Sequence, residues 1–174
     1  NKMETTDSIR ASLRESWGYL TRALDGLTQE EISWVPAAHS NSIGFLVWHM
    51  TLAEDHWVNG AIGGGSTVYK TGVWGEKLGT PEASGYGYTV EQLRAWPTPK
   101  LDDLRGYAQA VRDKTLAVVD ATTSEQLVET PQPDRPKQTV GWILTHVATE
   151  VAMHVGQIEY LRGVQRGLNP VNWG

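Results

Sequence analysis

Four long segments of this chain repeat their apolar residues with the 3.6-residue period of an α-helix. They run from about Asp7 to Leu24, from Ser42 to about Asn59-Gly60, from about Lys100 to Ala121, and from Thr139 to about Arg166-Gly167. Ser42 and Thr139 are residue types that cap helix N-termini, and glycine suits the C-terminal ends. No strong alternating pattern of a strand is present. The sequence therefore predicts an all-α protein, a four-helix bundle.

The segment between the second and third helices is too rich in glycine to sustain a long helix. It spans residues 60–99, ends in a short predicted helix from Thr89 to Trp96, and can carry the chain from one end of the bundle to the other. Such a long crossover permits a topology other than up-down-up-down. Its large rings predict a packed loop that closes over a site: Tyr69, Trp74, Tyr86 and Tyr88. At 174 residues the chain suits one domain, 1–174.

Charge and composition exclude several classes of partner. The net charge is -5 and the basic residues are dispersed, which gives no electrostatic footprint for nucleic acid or for an anionic membrane. No apolar run reaches the roughly 18 residues of a membrane span, and no signal-peptide pattern is visible, so we expect a cytoplasmic protein. Because the chain has no cysteine, a metal must be held by His, Asp or Glu, and a thiol must come from another molecule.

Polar side chains occur on the predicted inner side of the fourth helix, in HVATEVAMHVGQIEYLRG (146–163). At about 100° per residue, with His146 at zero, Gln157 falls near 20°, Glu150 near 40° and His154 near 80°. The same sector carries four apolar residues, Ile143, Met153, Leu161 and Val164. A polar group on a core-facing stripe costs free energy unless it is paired, so this set calls for a partner or a ligand.

The spacing indicates a metal site shared with the second helix. Residues four apart on a helix lie about 6 Å from each other and can reach one ion, whereas His146 and His154 are about 12 Å apart and cannot easily do so. Glu150 can therefore pair with either His154 or His146, joined by His49 or His56 from the inner stripe of the second helix. Two imidazoles and a carboxylate leave open positions on Zn²⁺ or another divalent ion. By contrast, three nearby residues are predicted at the surface, His39, Glu54 and Asp55.

The motifs VWHMTLAEDHW in the second helix and HVATEVAMHVGQIEYLRG in the fourth resemble those of the DinB/YfiT-like superfamily. The resemblance implies a four-helix bundle in which one His of the second helix and an i, i+4 pair of the fourth hold a divalent metal. On this chain those positions are His49, Glu150 and His154. Glu150 departs from the common pattern, since many members carry His there. A similar His, Glu, His set occurs in the N-terminal domain of mycothiol-dependent maleylpyruvate isomerase.

The resemblance also implies a function, a thiol-dependent S-transferase or isomerase acting on a small molecule. Its cofactors would be a divalent metal, with Zn²⁺ first and Ni, Fe or Mn as alternatives, and a low-molecular-weight thiol such as mycothiol or bacillithiol. His146 and Gln157 are candidates for orienting the ligands, and a homodimer is a further expectation from the resemblance. The alternatives are a metal-dependent hydrolase and a non-catalytic metal-binding module of a stress response.

Overall fold

Helices form the regular secondary structure of residues 5–80 and 85–167, the parts of the chain that the computed structural model describes. The predicted domain, 1–174, extends beyond them at both ends. The α-helices are α1 (Thr5–Leu24), α2 (Gln29–Ser33), α3 (Ile43–Glu54), α4 (Val68–Thr71), α5 (Trp74–Leu78), α6 (Val90–Ala95), α7 (Leu101–Ala121) and α8 (Val140–Arg166). A π-helix, Asp55–Ile62, continues α3, and a short 3₁₀ helix, Gln126–Val128, precedes α8. Across these ranges, no helix has the combined length and apolar character that a bilayer crossing requires.

The four long helices pack in a closed ring. Helix α1 contacts α8, α8 contacts α3, α3 contacts α7, and α7 contacts α1. The structure is all-α, as predicted, and the packing of the four long helices is consistent with the predicted four-helix bundle and its long crossover between the second and third helices. The core inside the ring contains large apolar side chains that are almost fully buried, such as Leu13, Trp48, Leu104 and Ile143.

Local capping explains where the helices begin. The hydroxyl of Ser42 accepts a hydrogen bond from the backbone N–H of Phe45, and the hydroxyl of Thr139 accepts one from Trp142. The predicted N-caps of the second and fourth long helices are therefore confirmed. Thr28 and Thr89 form complete capping boxes at α2 and α6.

The second long helix differs from the amphipathic helix that its sequence predicts. Nearly every residue of α3 is buried, because the helix packs against α8 on one side and α7 on the other. The π-helix then widens its last turns from Asp55 onward. This helix, which α2 also contacts, is thus buried on more sides than the single inner stripe of its sequence predicts.

Two acidic residues at the junction of α3 and the π-helix are buried, and the prediction that they lie at the surface is wrong. The Glu54 carboxylate pairs with the Arg112 guanidinium of α7. The Asp55 carboxylate accepts hydrogen bonds from the backbone N–H groups of Val68 (2.9 Å) and Tyr69 (2.8 Å) and from the Tyr107 hydroxyl (3.1 Å). Burial and the adjacent Asp55 carboxylate raise the pKa of Tyr107, so its hydroxyl stays a donor.

The crossover is packed, as predicted, but its first part lies on α7. Helices α4 and α5 both contact α7, and the Tyr69 hydroxyl donates to the Thr80 carbonyl at 2.6 Å. Tyr69 and Trp74 both pack against Tyr107. The expectation that Tyr86 belongs to the packed set is wrong, since its side chain is exposed.

A later part of the crossover reaches α3 beside the predicted site. Gly85 has a φ of 73°, and a Cβ there would lie 2.7 Å from both the Phe45 and Trp48 rings. Only glycine allows this close approach in the left-handed region. Through Gly85 the crossover therefore packs against Phe45, whose ring in turn stacks on His49. Residues 81–84 lie outside the described residues.

Candidate metal centre

The candidate site lies between α3 and α8, which run antiparallel. The His49 and His154 rings lie 5.1 Å apart between centroids, and further along the pair Trp57 of the π-helix lies 5.9 Å from His146. Increasing residue numbers on one helix therefore meet decreasing numbers on the other. This register decides which histidine of the second helix faces Glu150.

His49, Glu150 and His154 come together in a partly buried group. Glu150 Oε1 lies 3.9 Å from His49 Nε2 and 3.9 Å from His154 Nε2. One ligand atom from each residue lies within 4.8 Å of the other two. The side chains are 14%, 18% and 12% exposed respectively, so the group is shielded but reachable from solvent.

The two oxygens of Glu150 have different neighbours. Oε1 faces the two imidazoles of His49 and His154, whereas Oε2 lies 3.3 Å from Nε2 of His146. His146 therefore contacts the carboxylate from the side away from the group. Such a contact restrains the rotation of the carboxylate about its last side-chain bond.

The imidazole of His154 also has two different sides. Its Nδ1 lies 2.9 Å from Gln157 Oε1, and its Nε2 faces Glu150. When Nδ1–H donates to the Gln157 oxygen, Nε2 carries the free lone pair that a metal ligand needs. His49 is supported differently, since its ring stacks on Phe45 at 6.0 Å with an interplanar angle of 6°.

The polar residues of α8 occupy one flank of its buried stripe. The centre of that stripe is formed by residues such as Val147, Val151 and Ile158, whereas Met153 and Val164 are exposed. The side of α8 on which the sequence places His146, Glu150, His154 and Gln157 therefore faces the edge of the core and not its middle. At this edge the polar side chains do not interrupt the packing of the helix, because each of them lies between the interior and the solvent.

The remaining histidines do not join this group. Within residues 5–80 and 85–167, His49, Glu150 and His154 are the one set of three His, Asp or Glu residues that could hold a metal ion. His56 lies on the π-helix outside it, and His39 is exposed as predicted. The sequence analysis did not single out two contacts near the site, the Phe45 ring against His49 and the Arg135 guanidinium over the Trp57 ring. The i, i+4 spacing of Phe45 and His49 on one helix could have indicated the first contact, whereas Arg135 and Trp57 are distant in sequence and no local pattern links them.

The donor set fits a divalent ion. Two ligand atoms of a tetrahedral Zn²⁺ site, each about 2.0–2.2 Å from the ion, lie about 3.3–3.6 Å apart. Both 3.9 Å distances are slightly longer than this, so a small movement of the side chains would bring the three ligand atoms to zinc-binding distances. Two imidazoles and one carboxylate are also the protein ligands of known catalytic zinc sites. Three protein ligands leave a coordination position for water or another small molecule.

Comparison with known proteins places this architecture in a family. The sequence pattern of the DinB superfamily matches residues 12–158, which is most of the chain. A crystal structure of a conserved protein from Enterococcus faecalis superposes with a TM-score of 0.85 over 96% of this chain and 100% of that chain. Their sequences are 22% identical, so this likeness shows a shared fold. No protein of curated function matches. The match over residues 12–158 and the bundle together show that the chain belongs to the DinB superfamily.

Proposed function

We propose that His49, Glu150 and His154 bind one divalent metal ion, and that this centre serves thiol-dependent transfer or isomerisation of a small molecule. The observation that carries the proposal is the convergence of two imidazole Nε2 atoms on one carboxylate oxygen, each at 3.9 Å. Membership of the DinB superfamily supports it.

The surroundings of the three ligands favour a metal over a simple hydrogen-bonded group. At 3.9 Å the Glu150 Oε1 atom is beyond hydrogen-bond distance of both imidazole Nε2 atoms, which leaves a separation that an ion could bridge. An ion between them would satisfy all three side chains at once. Zn²⁺ suits a set of two imidazoles and a carboxylate, and Ni, Fe or Mn ions accept the same ligand types.

Two neighbouring residues hold the ligands in place. Gln157 accepts from His154 Nδ1 and so directs Nε2 toward the group. His146 contacts Glu150 Oε2 and leaves Oε1 to face the two histidines. Partners of this kind orient metal ligands in other sites, where their loss lowers metal affinity about 10–100-fold.

The thiol would be a separate small molecule. The chain has no cysteine, so a nucleophilic sulfur must be brought in, as mycothiol or bacillithiol would do. A divalent ion at this site would favour the thiolate form of a coordinated thiol. Such thiols are kept reduced inside cells, and we therefore expect the protein to act in the cytoplasm. A homodimer is a further part of the proposal.

Titration of a cobalt-loaded protein with a low-molecular-weight thiol tests the proposal. Co²⁺ replaces Zn²⁺ with visible absorption, and a bound thiolate adds a charge-transfer band. We expect this band with bacillithiol or mycothiol, and no band with the matched analogue in which oxygen replaces sulfur. The His154→Ala variant serves as the control for binding elsewhere.

Each outcome separates one function from another. A thiol-dependent spectral change that occurs in the native protein and is absent from His154→Ala supports the thiol-dependent transferase or isomerase. Metal-dependent ester hydrolysis without thiol would replace it with the hydrolase, in which Glu150 acts only as a ligand. A full equivalent of bound metal with neither response would show a metal-binding module, and absence of metal binding would overturn the whole proposal.

A further inference from the structure

Three rings form a cluster beside the candidate metal centre. Trp142 and His146 stack at 4.7 Å between centroids with an interplanar angle of 12°. Trp57 meets both of them edge to face, at 5.9 Å in each case. We call Trp57, Trp142 and His146 the aromatic cluster. It adjoins the centre directly, because His146 also contacts Glu150 Oε2 at 3.3 Å.

The aromatic cluster is open to solvent on one side. Trp142 is 41% exposed and the His146 side chain is 40% exposed, while Trp57 is half-buried. A single exposed ring needs no explanation, but adjoining exposed rings at the edge of a polar site are typical of a ligand-binding surface. Trp142 and His146 already cover one face of each other, so a ligand would stack on an outer face of this pair. A flat ring face favours a planar ligand, because it makes more contact with a plane than with a puckered chain.

A cation lies over one ring of the aromatic cluster, Trp57. The Arg135 guanidinium is 5.8 Å from the centroid of the Trp57 ring, within the range of a cation–π contact. Its ion pair with the neighbouring Asp134 is long, at 3.9 Å, and both side chains are more than half exposed. Such an exposed pair is weak, so the guanidinium can exchange it for a carboxylate that binds by two hydrogen bonds.

We propose that the aromatic cluster and Arg135 form a substrate subsite that binds a planar carboxylate, aromatic or conjugated. The planar part stacks on the exposed rings of the cluster, and the carboxylate pairs with Arg135. This inference rests on the proposed function, because it assigns the class of small molecule that the centre at Glu150 would act on. The overall charge of -5 makes a local cation the feature that would select an anion here.

Titration of the protein with two carboxylates and one amide tests this subsite. Benzoate carries both features, benzamide lacks the charge, and cyclohexanecarboxylate lacks the planar ring. We expect the zinc-loaded protein to bind benzoate about tenfold more tightly than either analogue, with shifts of the indole N–H signals in a two-dimensional NMR spectrum. The titrations are repeated after metal removal, because a carboxylate can also bind directly to zinc.

Variants identify the residues responsible. Arg135→Gln should weaken benzoate binding about tenfold and leave benzamide binding unchanged. Trp142→Leu should weaken both ligands, and Arg14→Gln, at an exposed position of α1, should weaken neither. Equal benzoate affinity of the native protein and Arg135→Gln would overturn the proposal, as would absence of saturable binding. Benzoate-independent self-association that disappears in Trp142→Leu would overturn it in favour of a contact between copies.

Metal content of the same samples separates this inference from the proposed function. If Arg135-dependent benzoate binding persists in a protein that holds no metal, the subsite stands and the metal centre fails. If metal binds through His49, Glu150 and His154 without Arg135-dependent benzoate binding, the metal centre stands and the subsite fails.

Discussion

Arg112 and Glu54 form a two-point ion pair inside the bundle, between α7 and α3. Arg112 Nε donates to Glu54 Oε1 at 2.9 Å, and Nη2 donates to Oε2 at 2.7 Å. Both side chains are nearly inaccessible to solvent, and the third guanidinium nitrogen donates to the Leu13 carbonyl of α1. One arginine therefore links three of the four long helices.

Breaking this pair should destabilise the protein strongly. Arg112→Met leaves the Glu54 carboxylate buried without a partner, and we expect a loss of about 3–5 kcal/mol in the free energy of unfolding. The double variant Glu54→Leu with Arg112→Met should recover much of that loss, because no buried charge remains. Urea unfolding measures both values, with the exposed Arg94→Met as the control. A single variant as stable as the control would contradict the assignment.

Asp55 should anchor the crossover. Its four hydrogen bonds join the π-helix to Val68, Tyr69 and Tyr107, with Asn59 as the fourth donor at 3.0 Å. Asp55→Asn turns an acceptor into a donor that faces other donors, which should cost about 1–3 kcal/mol. We expect a lower melting temperature and faster proteolysis within residues 60–80. Asp25→Asn, in an exposed turn, should change neither.

The proposed metal ligands can be tested by loading the native protein and its variants with metal under identical conditions. His154→Ala should lose most of its metal, because two ligands hold a divalent ion less tightly than three. Glu150→Gln should bind more weakly, since it removes the negative charge and nearly keeps the shape. His56→Ala is the matched control from the same long helix and should retain a full equivalent. Metal content by mass spectrometry decides: a full equivalent in His154→Ala, or a loss in His56→Ala, would refute the assignment.

Acid should weaken the link between the end of α8 and α2. A hydrogen bond from Arg166, together with the backbone N–H of Thr28, lowers the pKa of Glu31 from its ordinary value of 4.5 to about 2. Because the pKa of Glu31 is lower in the folded state, its ionised carboxylate stabilises the folded protein above pH 4.5. This contribution to the free energy of unfolding is lost as the pH falls from 4.5 towards 2. Stability measured across this range should fall less steeply in Glu31→Gln than in the native protein. Glu30→Gln, at the adjacent exposed position, should follow the native curve.

The helix boundaries could be predicted because their signals are local. The predicted starts at Ser42 and Thr139 and the predicted end of the third helix at Ala121 agree with the structure. A cap depends on a side chain and a backbone group three residues away, and periodicity depends on neighbours within a few turns. The i, i+4 spacing that lets Glu150 approach either His146 or His154 is local in the same sense.

The buried charges could not be predicted because their partners are distant in sequence. The sequence predicts Glu54 and Asp55 at the surface, and no residue close to them in the sequence indicates that they are buried. Arg112 lies 58 residues from Glu54, and Tyr107 lies 52 residues from Asp55. Only the packing of α7 and the crossover against α3 turns these carboxylates into buried, satisfied groups.

For the candidate site, the amino-acid sequence alone determined the ligand types, the absence of cysteine and the i, i+4 spacing on the fourth helix. From spacing it left His49 and His56, and likewise His154 and His146, as alternatives. The tertiary structure brings His49, Glu150 and His154 together as one candidate group, because the antiparallel register of α3 and α8 sets His49 beside His154, whereas His56 lies further along the chain on the π-helix. Helix phase and register are collective results of core packing, which no short stretch of sequence encodes.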